Sequence, residues 1–218
     1  MSNNQELIHK SHREQALDVI KLTYESHLSQ RLDINEHLPT FKHFASLGDH
    51  ITELGTRTFV SGWAWLSGMI GHPEKKLVCV DLQYHPNIGI ASEIAKQAGL
   101  EFEFIKGDDV KITPWDTDIV FIDSFHVYPH LKEELRVWAP RVKKYILMHD
   151  TEVDAIYGEA IRSGWNLEKL SKETGYKAED LGRGLRPAIQ EFLASHSGEW
   201  ELHSHYINNN GLTILKRI

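Results

Sequence analysis

From residue 50 onward, apolar positions in this chain fall into short, nearly continuous runs separated by stretches with helical spacing. The runs HITELG, KLVCVDL, EFEFIKG, DIVFIDS and KYILMHD have strand length, and unbroken apolar character predicts strands buried on both faces. Between them, VSGWAWLSGMI, NIGIASEIAKQAG and PHLKEELRVWAPRV predict helices, the second closed by Gly99. Before this alternation, Leu17, Ile20, Tyr24 and Leu28 recur at helical spacing and predict a helix from about Asn4 to Ser29. A second helix is expected over Asn35 to Leu47, capped by Asp33, broken early by Pro39 and ended by Gly48. Neither could bury its apolar face alone, so residues 1–47 form a helical cap on the domain spanning 48–218.

The last 30 residues change pattern. A helix RPAIQEFLASH carries Pro187 near its first turn, and WELHSHYI and GLTILKRI flank Asn208-Asn209-Asn210-Gly211. Asn and Gly tolerate positive φ, so this is a hairpin signal, and the sheet should finish with an antiparallel pair. The fold class is therefore α/β: a doubly wound, Rossmann-like, mostly parallel sheet with a C-terminal antiparallel hairpin and an N-terminal helical cap. Residues 152–184 are polar and rich in glycine and directly follow a strand, which predicts a partly helical substrate lid.

Each predicted parallel strand stops on or beside an acid: Glu53, Asp81, Asp108 with Asp109, Asp123 and Asp150. Ligands of open α/β sheets lie at the carboxyl ends of the strands, so these acids line a cofactor crevice. Glu53 and Gly55 sit in the first strand-to-helix turn. A dinucleotide fingerprint needs G-x-G-x-x-G, whereas Phe59 fills a position where glycine is expected, which disfavours a pyrophosphate. Asp81, 26 positions after Gly55, could accept both ribose hydroxyls of NAD or of S-adenosylmethionine. Asp108 and Asp109 could meet an adenine amino group or serve the turn itself.

With 218 residues, 41% hydrophobic and 25% charged, the chain suits one well-buried domain. A net charge of −7 argues against bulk binding to nucleic acid or an anionic membrane. The single cysteine, Cys79, excludes an internal disulfide, and no window approaches a membrane span, so a cytoplasmic protein is the expectation. Of the 14 histidines, His203 and His205 alternate on a strand and could bind metal, though a solvent-facing pair is the simpler reading.

ITELGTRTFVSGWA, VCVDL, IKGDD, VFIDSFHVY and ILMHDT, in this order and spacing, resemble the successive motifs of class I S-adenosylmethionine-dependent methyltransferases. The subgroup resembled is that of small O-methyltransferases akin to the cephalosporin-hydroxylase-like and macrolide sugar enzymes. GLRPAIQEFLASHSGEWELHSHYINNNGLTIL is similar to its usual tail, and the likeness runs from about Asn35 to the end. The departures are Phe59 and Arg57 in the first turn.

The resemblance implies that Glu53 and Gly55 contact the methionine moiety, Asp81 the ribose, and Asp108 or Asp109 the adenine. Thr56, Arg57, Ser61, Leu82, Gly107 and Asp123 complete the matching cofactor positions. Metal-dependent relatives hold a divalent cation at the positions of Asp123, His149 and Asp150. Aspartates suit Mg²⁺ or Mn²⁺, while His149 shifts preference toward Mn²⁺, Fe²⁺ or Zn²⁺; alternatively the site holds no metal. Methyl transfer to a hydroxyl needs a base, and His126, three residues past Asp123, suits that role, oriented by Asp123 or Asp150. His149 is the rival base in a metal-free site, and Tyr128 and Trp115 could line the acceptor pocket. The expected function is O-methylation of a small-molecule or sugar hydroxyl. The competing readings are an NAD-dependent oxidoreductase and a non-catalytic S-adenosylmethionine-binding protein. The N-terminal helices offer a homodimer contact.

Overall fold

The computed structural model describes residues 10–218. The elements in chain order are α1 (His12–Ser29), α2 (Leu38–Leu47), β1 (His50–Leu54), α3 (Val60–Met69), β2 (Lys76–Asp81), α4 (Pro86–Ala98), β3 (Glu101–Lys106) and β4 (Thr117–Ile122). They continue with α5 (Tyr128–Trp138), β5 (Val142–His149), α6 (Glu159–Arg162), α7 (Leu167–Thr174), α8 (Ala178–Leu181), α9 (Leu185–Ser195), β6 (Trp200–Tyr206) and β7 (Leu212–Arg217). Seven strands form one sheet in the order β3-β2-β1-β4-β5-β7-β6. The first five are parallel, and β7 runs antiparallel to both β5 and β6. The order reverses between β1 and β4, the point where a doubly wound sheet opens a crevice at its carboxyl edge.

Each face of the sheet carries its own apolar layer. On one side α1 to α4 pack over Ile51, Leu77, Cys79, Ile119 and Phe121; on the other, α5 and α9 pack over Leu54, Val80, Val120 and Ile146. Phe41 of α2 stacks on Trp65 at 5.1 Å and meets Phe121 at 4.5 Å, so the N-terminal helices belong to this core. The tail closes as a hairpin, with positive φ at Asn209, Asn210 and Gly211.

Some expectations shift. The first helix begins at His12 behind a capping box of Ser11 and Glu14, and the expected stretch from Asn4 to His9 lies outside the described residues. Pro39 does not break the second helix but sits in its first turn, where no N–H is needed. A 3₁₀ turn, Asn35–His37, precedes it. Asp33 does not cap it; its carboxylate pairs with Arg57 at 3.1 Å. Residues 152–184 fold into the three short helices α6, α7 and α8.

Candidate functional site

The turn after β1 is shaped by three close contacts. Gly55 has φ 83°, and a Cβ there would collide with the carbonyl of Asp123, so only glycine lets β1 and β4 open at this point. Phe59 adopts a left-handed φ of 69° at the head of α3. Its buried ring lies against Gly62, where any Cβ would strike it. A glycine of the usual turn is thus replaced by a strained phenylalanine, and a glycine one turn later makes room for it. Finally, Asp81 Oδ2 accepts the backbone N–H groups of Thr56 and Arg57 at 2.8 and 2.9 Å.

Beneath this turn, Glu53 is fully buried, accepts from Ser61 Oγ and lies 3.4 Å from Cys79 Sγ. Burial pushes its carboxyl up to about 8, against the pull of the Ser61 and Cys79 hydrogen bonds. Glu53, Thr56 and Ser61 therefore support the turn from below and do not line the crevice.

The crevice has a volume of about 780 Å³. Of the residues implied as cofactor contacts, Gly55, Arg57, Asp81, Leu82, Gly107, Asp108, Asp109 and Asp123 line it. Trp165, Glu173, Thr174 and Tyr176, from residues 152–184, line it too. Trp115 and Tyr128 do not. Trp115 donates to Thr52 inside the sheet, and the Tyr128 hydroxyl donates to Glu191 in a separate groove between α5 and α9.

At the ends of β4 and β5, two aspartates alternate with two histidines. His126 Nδ1 lies 2.8 Å from Asp150 and its Nε2 3.3 Å from Asp123. His149 Nδ1 lies 3.1 Å from Asp123 and 3.5 Å from Asp150, while its Nε2 meets the Asn209 carbonyl at 3.1 Å. Burial alone would lower both imidazoles; Asp123 and Asp150 outweigh it, raising His149 and holding His126 well above its ordinary value. Burial would likewise raise the aspartates, but the histidines keep both below the usual carboxylate range. Neither nitrogen of His126 has an aligned hydrogen bond despite these short ionic distances, and Asp150 Oδ1 is also buried without a partner. Asp150 has φ 57°, a backbone strain that aspartate tolerates better than most residues.

Several residues here carry no clear signal in the sequence. Asp154 Oδ2 lies 3.6 Å and Glu159 Oε2 3.9 Å from His126, and Asp154 is held by a two-point pair with Arg162, both contacts 2.7 Å. The hairpin reads as a turn, yet its Asn209 carbonyl holds His149 and its Asn208 carbonyl meets His37 at 3.0 Å. His203 packs edge-on against Phe44 and Tyr145, and His205 bonds Thr213 and Glu152, so their role is in packing the hairpin.

A second buried cluster flanks the crevice. Asp109 Oδ1 lies 3.2 Å from His130 Nε2, and Glu134 lies 3.9 Å from the same nitrogen. Burial and the neighbouring Asp109 push the Glu134 carboxyl well up. His130 and Glu134 are four residues apart on α5, a spacing that was visible in the sequence as HLKEE.

No protein-family model and no curated protein matches the chain. Solved structures do. A Staphylococcus aureus protein carrying the provisional name caffeoyl-CoA O-methyltransferase aligns with TM-score 0.58 at 14% identity, over 95% of each chain. The chain shares its fold with O-methyltransferases. An SAH-bound methyltransferase from Podospora anserina aligns at TM-score 0.55 and 14% identity, over 96% of this chain and 89% of that one. An O-methyltransferase from Bacillus cereus in complex with SAH gives 0.55 and 13%, over 98% and 94%. Among the described residues, no helix is long and apolar enough to cross a membrane.

Proposed function

We propose that the protein is an S-adenosylmethionine-dependent O-methyltransferase acting on a hydroxyl of a small molecule or sugar. The observation that carries this reading is the junction of two features: a crevice lined by Gly55, Asp81, Asp108 and Asp123, and the Asp–His cluster that shares Asp123 with it, His126, His149 and Asp150 being outside its lining. The SAH-bound neighbours of the same fold support the choice of cofactor. The residues fit it. Asp81 Oδ1 accepts only the Gln83 N–H and keeps a lone pair for ribose, and Asp108 or Asp109 stands ready for the adenine. When bound, S-adenosylmethionine supplies a methyl group on a sulfonium sulfur, open to in-line attack.

His126 takes the proton of the attacking hydroxyl. Its Nδ1 lies 2.8 Å from Asp150 and its Nε2 3.3 Å from Asp123, so the two aspartates orient the ring and stabilise the charged form that results when the neutral imidazole takes the proton. Exposed Tyr157 and Trp165, from residues 152–184, offer a flat apolar surface to the acceptor, in keeping with a lid. The larger part of the rate enhancement comes from alignment of donor and acceptor.

A divalent cation, Mg²⁺ or Mn²⁺, would be held by Asp123 and Asp150; the donor atoms that converge within 4.8 Å there are those of Asp123, His126 and Asp150, with the expected ligand His149 beside them. His149 Nε2–H donates to the Asn209 carbonyl, which fixes Nδ1 as the nitrogen facing both aspartates. Separations of 3.1 and 3.5 Å suit donor atoms sharing one ion. When bound, such a cation would supply positive charge that acidifies the acceptor hydroxyl. Val19 and Leu22, exposed on α1, support a homodimer contact there, and the lone buried thiol of Cys79 suits a cytoplasmic setting.

Calorimetry with S-adenosylmethionine and with NAD, followed by methyl transfer to phenols and sugars, tests the reading. Binding of NAD alone would refute it in favour of an oxidoreductase. Binding of S-adenosylmethionine without turnover on any acceptor would favour a non-catalytic binding protein.

A further inference from the structure

We propose that Asp109, His130 and Glu134 form a metal site of their own, distinct from the Asp123–Asp150 cluster, that takes Zn²⁺. The three side chains offer ligand atoms within 4.8 Å of one another, and all three residues are buried. His130 and Glu134 stand one turn apart on the same face of α5. Asp109 approaches from the loop after β3, its backbone carbonyl accepting a 2.9 Å hydrogen bond from Trp138 Nε1. Donor atoms bound tetrahedrally at zinc distances lie roughly 3.4 Å apart. The observed separations from His130 Nε2, 3.2 Å to Asp109 and 3.9 Å to Glu134, bracket that value.

The outer contacts are those that a ligand set needs. His130 Nδ1 lies 3.1 Å from the Tyr176 hydroxyl; donating its N–H there would free Nε2, which otherwise hydrogen-bonds Asp109, to turn a lone pair toward an ion between the two carboxylates. Ser124 Oγ donates to Glu134 Oε1 at 2.6 Å. The other oxygen, Oε2, is buried with no donor facing it on a residue only 1% exposed, and it can meet the Asp109 carboxylate only across a shared proton or a cation. An imidazole and two buried carboxyls that meet only across shared protons make a cluster in which a cation can take the protons' place. One imidazole and two carboxylates are a zinc-type donor set, and their two negative charges balance a single divalent ion. Asp109 and His130 line the crevice, which leaves an open coordination position on that side. The ion would fasten α5 to the β3 loop and, through Tyr176, to the segment covering the crevice. Asp108 is then the acid left to an adenine.

The proposal goes beyond the transfer reaction, and its test needs no turnover. The full-length protein, stripped with chelator, is titrated with Zn²⁺ by calorimetry and by thermal melting. The D123N/D150N variant, which disables the other cluster and keeps an asparagine at the left-handed position, should still bind one equivalent. Its melting temperature should rise by about 5–10 °C at a hundredfold excess over Kd. H130Q and E134Q in that background should each lose this equivalent or weaken it at least tenfold. Unchanged zinc binding in both would overturn the proposal, as would no binding by D123N/D150N itself. Zinc-edge X-ray absorption on D123N/D150N keeps the question open to decision if either added variant fails to fold. A shell with one imidazole nitrogen and carboxylate oxygens is expected, and a shell without imidazole would refute the site.

Discussion

Glu53 should make this protein less stable as pH rises, and replacing it with glutamine should remove that loss. The carboxyl is fully buried between Ser61 and Cys79, with Asp81 and Asp123 adding repulsion, and it titrates at about 8 instead of 4.5. Below pH 4.5 it is protonated in both the folded and unfolded chain and costs nothing. Between 4.5 and 8 the unfolded chain releases the proton while the folded one keeps it, so stability falls with pH, then levels off above 8. A difference of about 3.5 pKa units corresponds to roughly 5 kcal/mol in all, of which about 3.5 kcal/mol falls between pH 5 and pH 8. Glu53→Gln keeps the shape and an acceptor for Ser61 but has no proton to lose. Urea unfolding of both proteins at pH 5 and pH 8 measures the difference. The variant should gain about 3–4 kcal/mol relative to wild type across that interval, or roughly 10 °C in melting temperature. A gap between the two proteins that is the same at both pH values would refute the assignment of a neutral, buried Glu53.

Asp81→Ala should weaken S-adenosylmethionine binding and also loosen the first turn, since the carboxylate holds the Thr56 and Arg57 N–H groups; unchanged affinity by calorimetry would remove its ribose role. His126→Ala should lower turnover by about 10²- to 10⁴-fold with cofactor affinity retained. Because the base must be neutral to accept a proton and its pKa is raised, kcat should increase with pH through a midpoint above 6.5, and Asp150→Asn should move that midpoint down. A pH-independent rate would contradict the assignment. Phe59→Gly relieves about 1–2 kcal/mol of left-handed strain but gives up about 3–5 kcal/mol of buried ring, so melting should show a net loss.

The sheet was legible because its strands are buried on both faces and so read as unbroken apolar runs, and because Asn208 to Gly211 can hardly be anything but a turn. Pro39 was misread because a proline that breaks a helix interior is indistinguishable, in sequence, from one that opens the next helix after a 3₁₀ turn. Residues 152–184 were legible only as polar and partly helical; their order depends on tertiary contacts such as Asp154 with Arg162 and Tyr176 with His130. The strand-end acids could be named from the sequence, but their partners could not. Asp81 faces the turn's N–H groups, whereas Glu53 pairs in register with Cys79, two residues short of Asp81 on the same face, and so ends up under the turn in the core; spacing along one strand does not show how far each acid lies from the sheet's carboxyl edge.

What three dimensions add most is charge balance. Asp123 and Asp150, 27 residues apart in the chain, would repel each other in a buried site if left alone. Two histidines answer them, one from the loop after β4 and one from the last position of β5, each held at ionic distance from both aspartates. Two imidazolium protons carry the same charge as one divalent cation. The cluster can therefore be neutral in either form, and exchange between the forms must release protons, so cation affinity at this site should rise with pH. Mg²⁺ or Mn²⁺ titrations at pH 6 and pH 8 in two buffers of different ionisation enthalpy measure the protons directly. Release of one to two protons per ion, with tighter binding at pH 8, is the expected result. Binding without proton release would mean that the histidines are already neutral, and the balance between two aspartates and two imidazolium ions would be wrong.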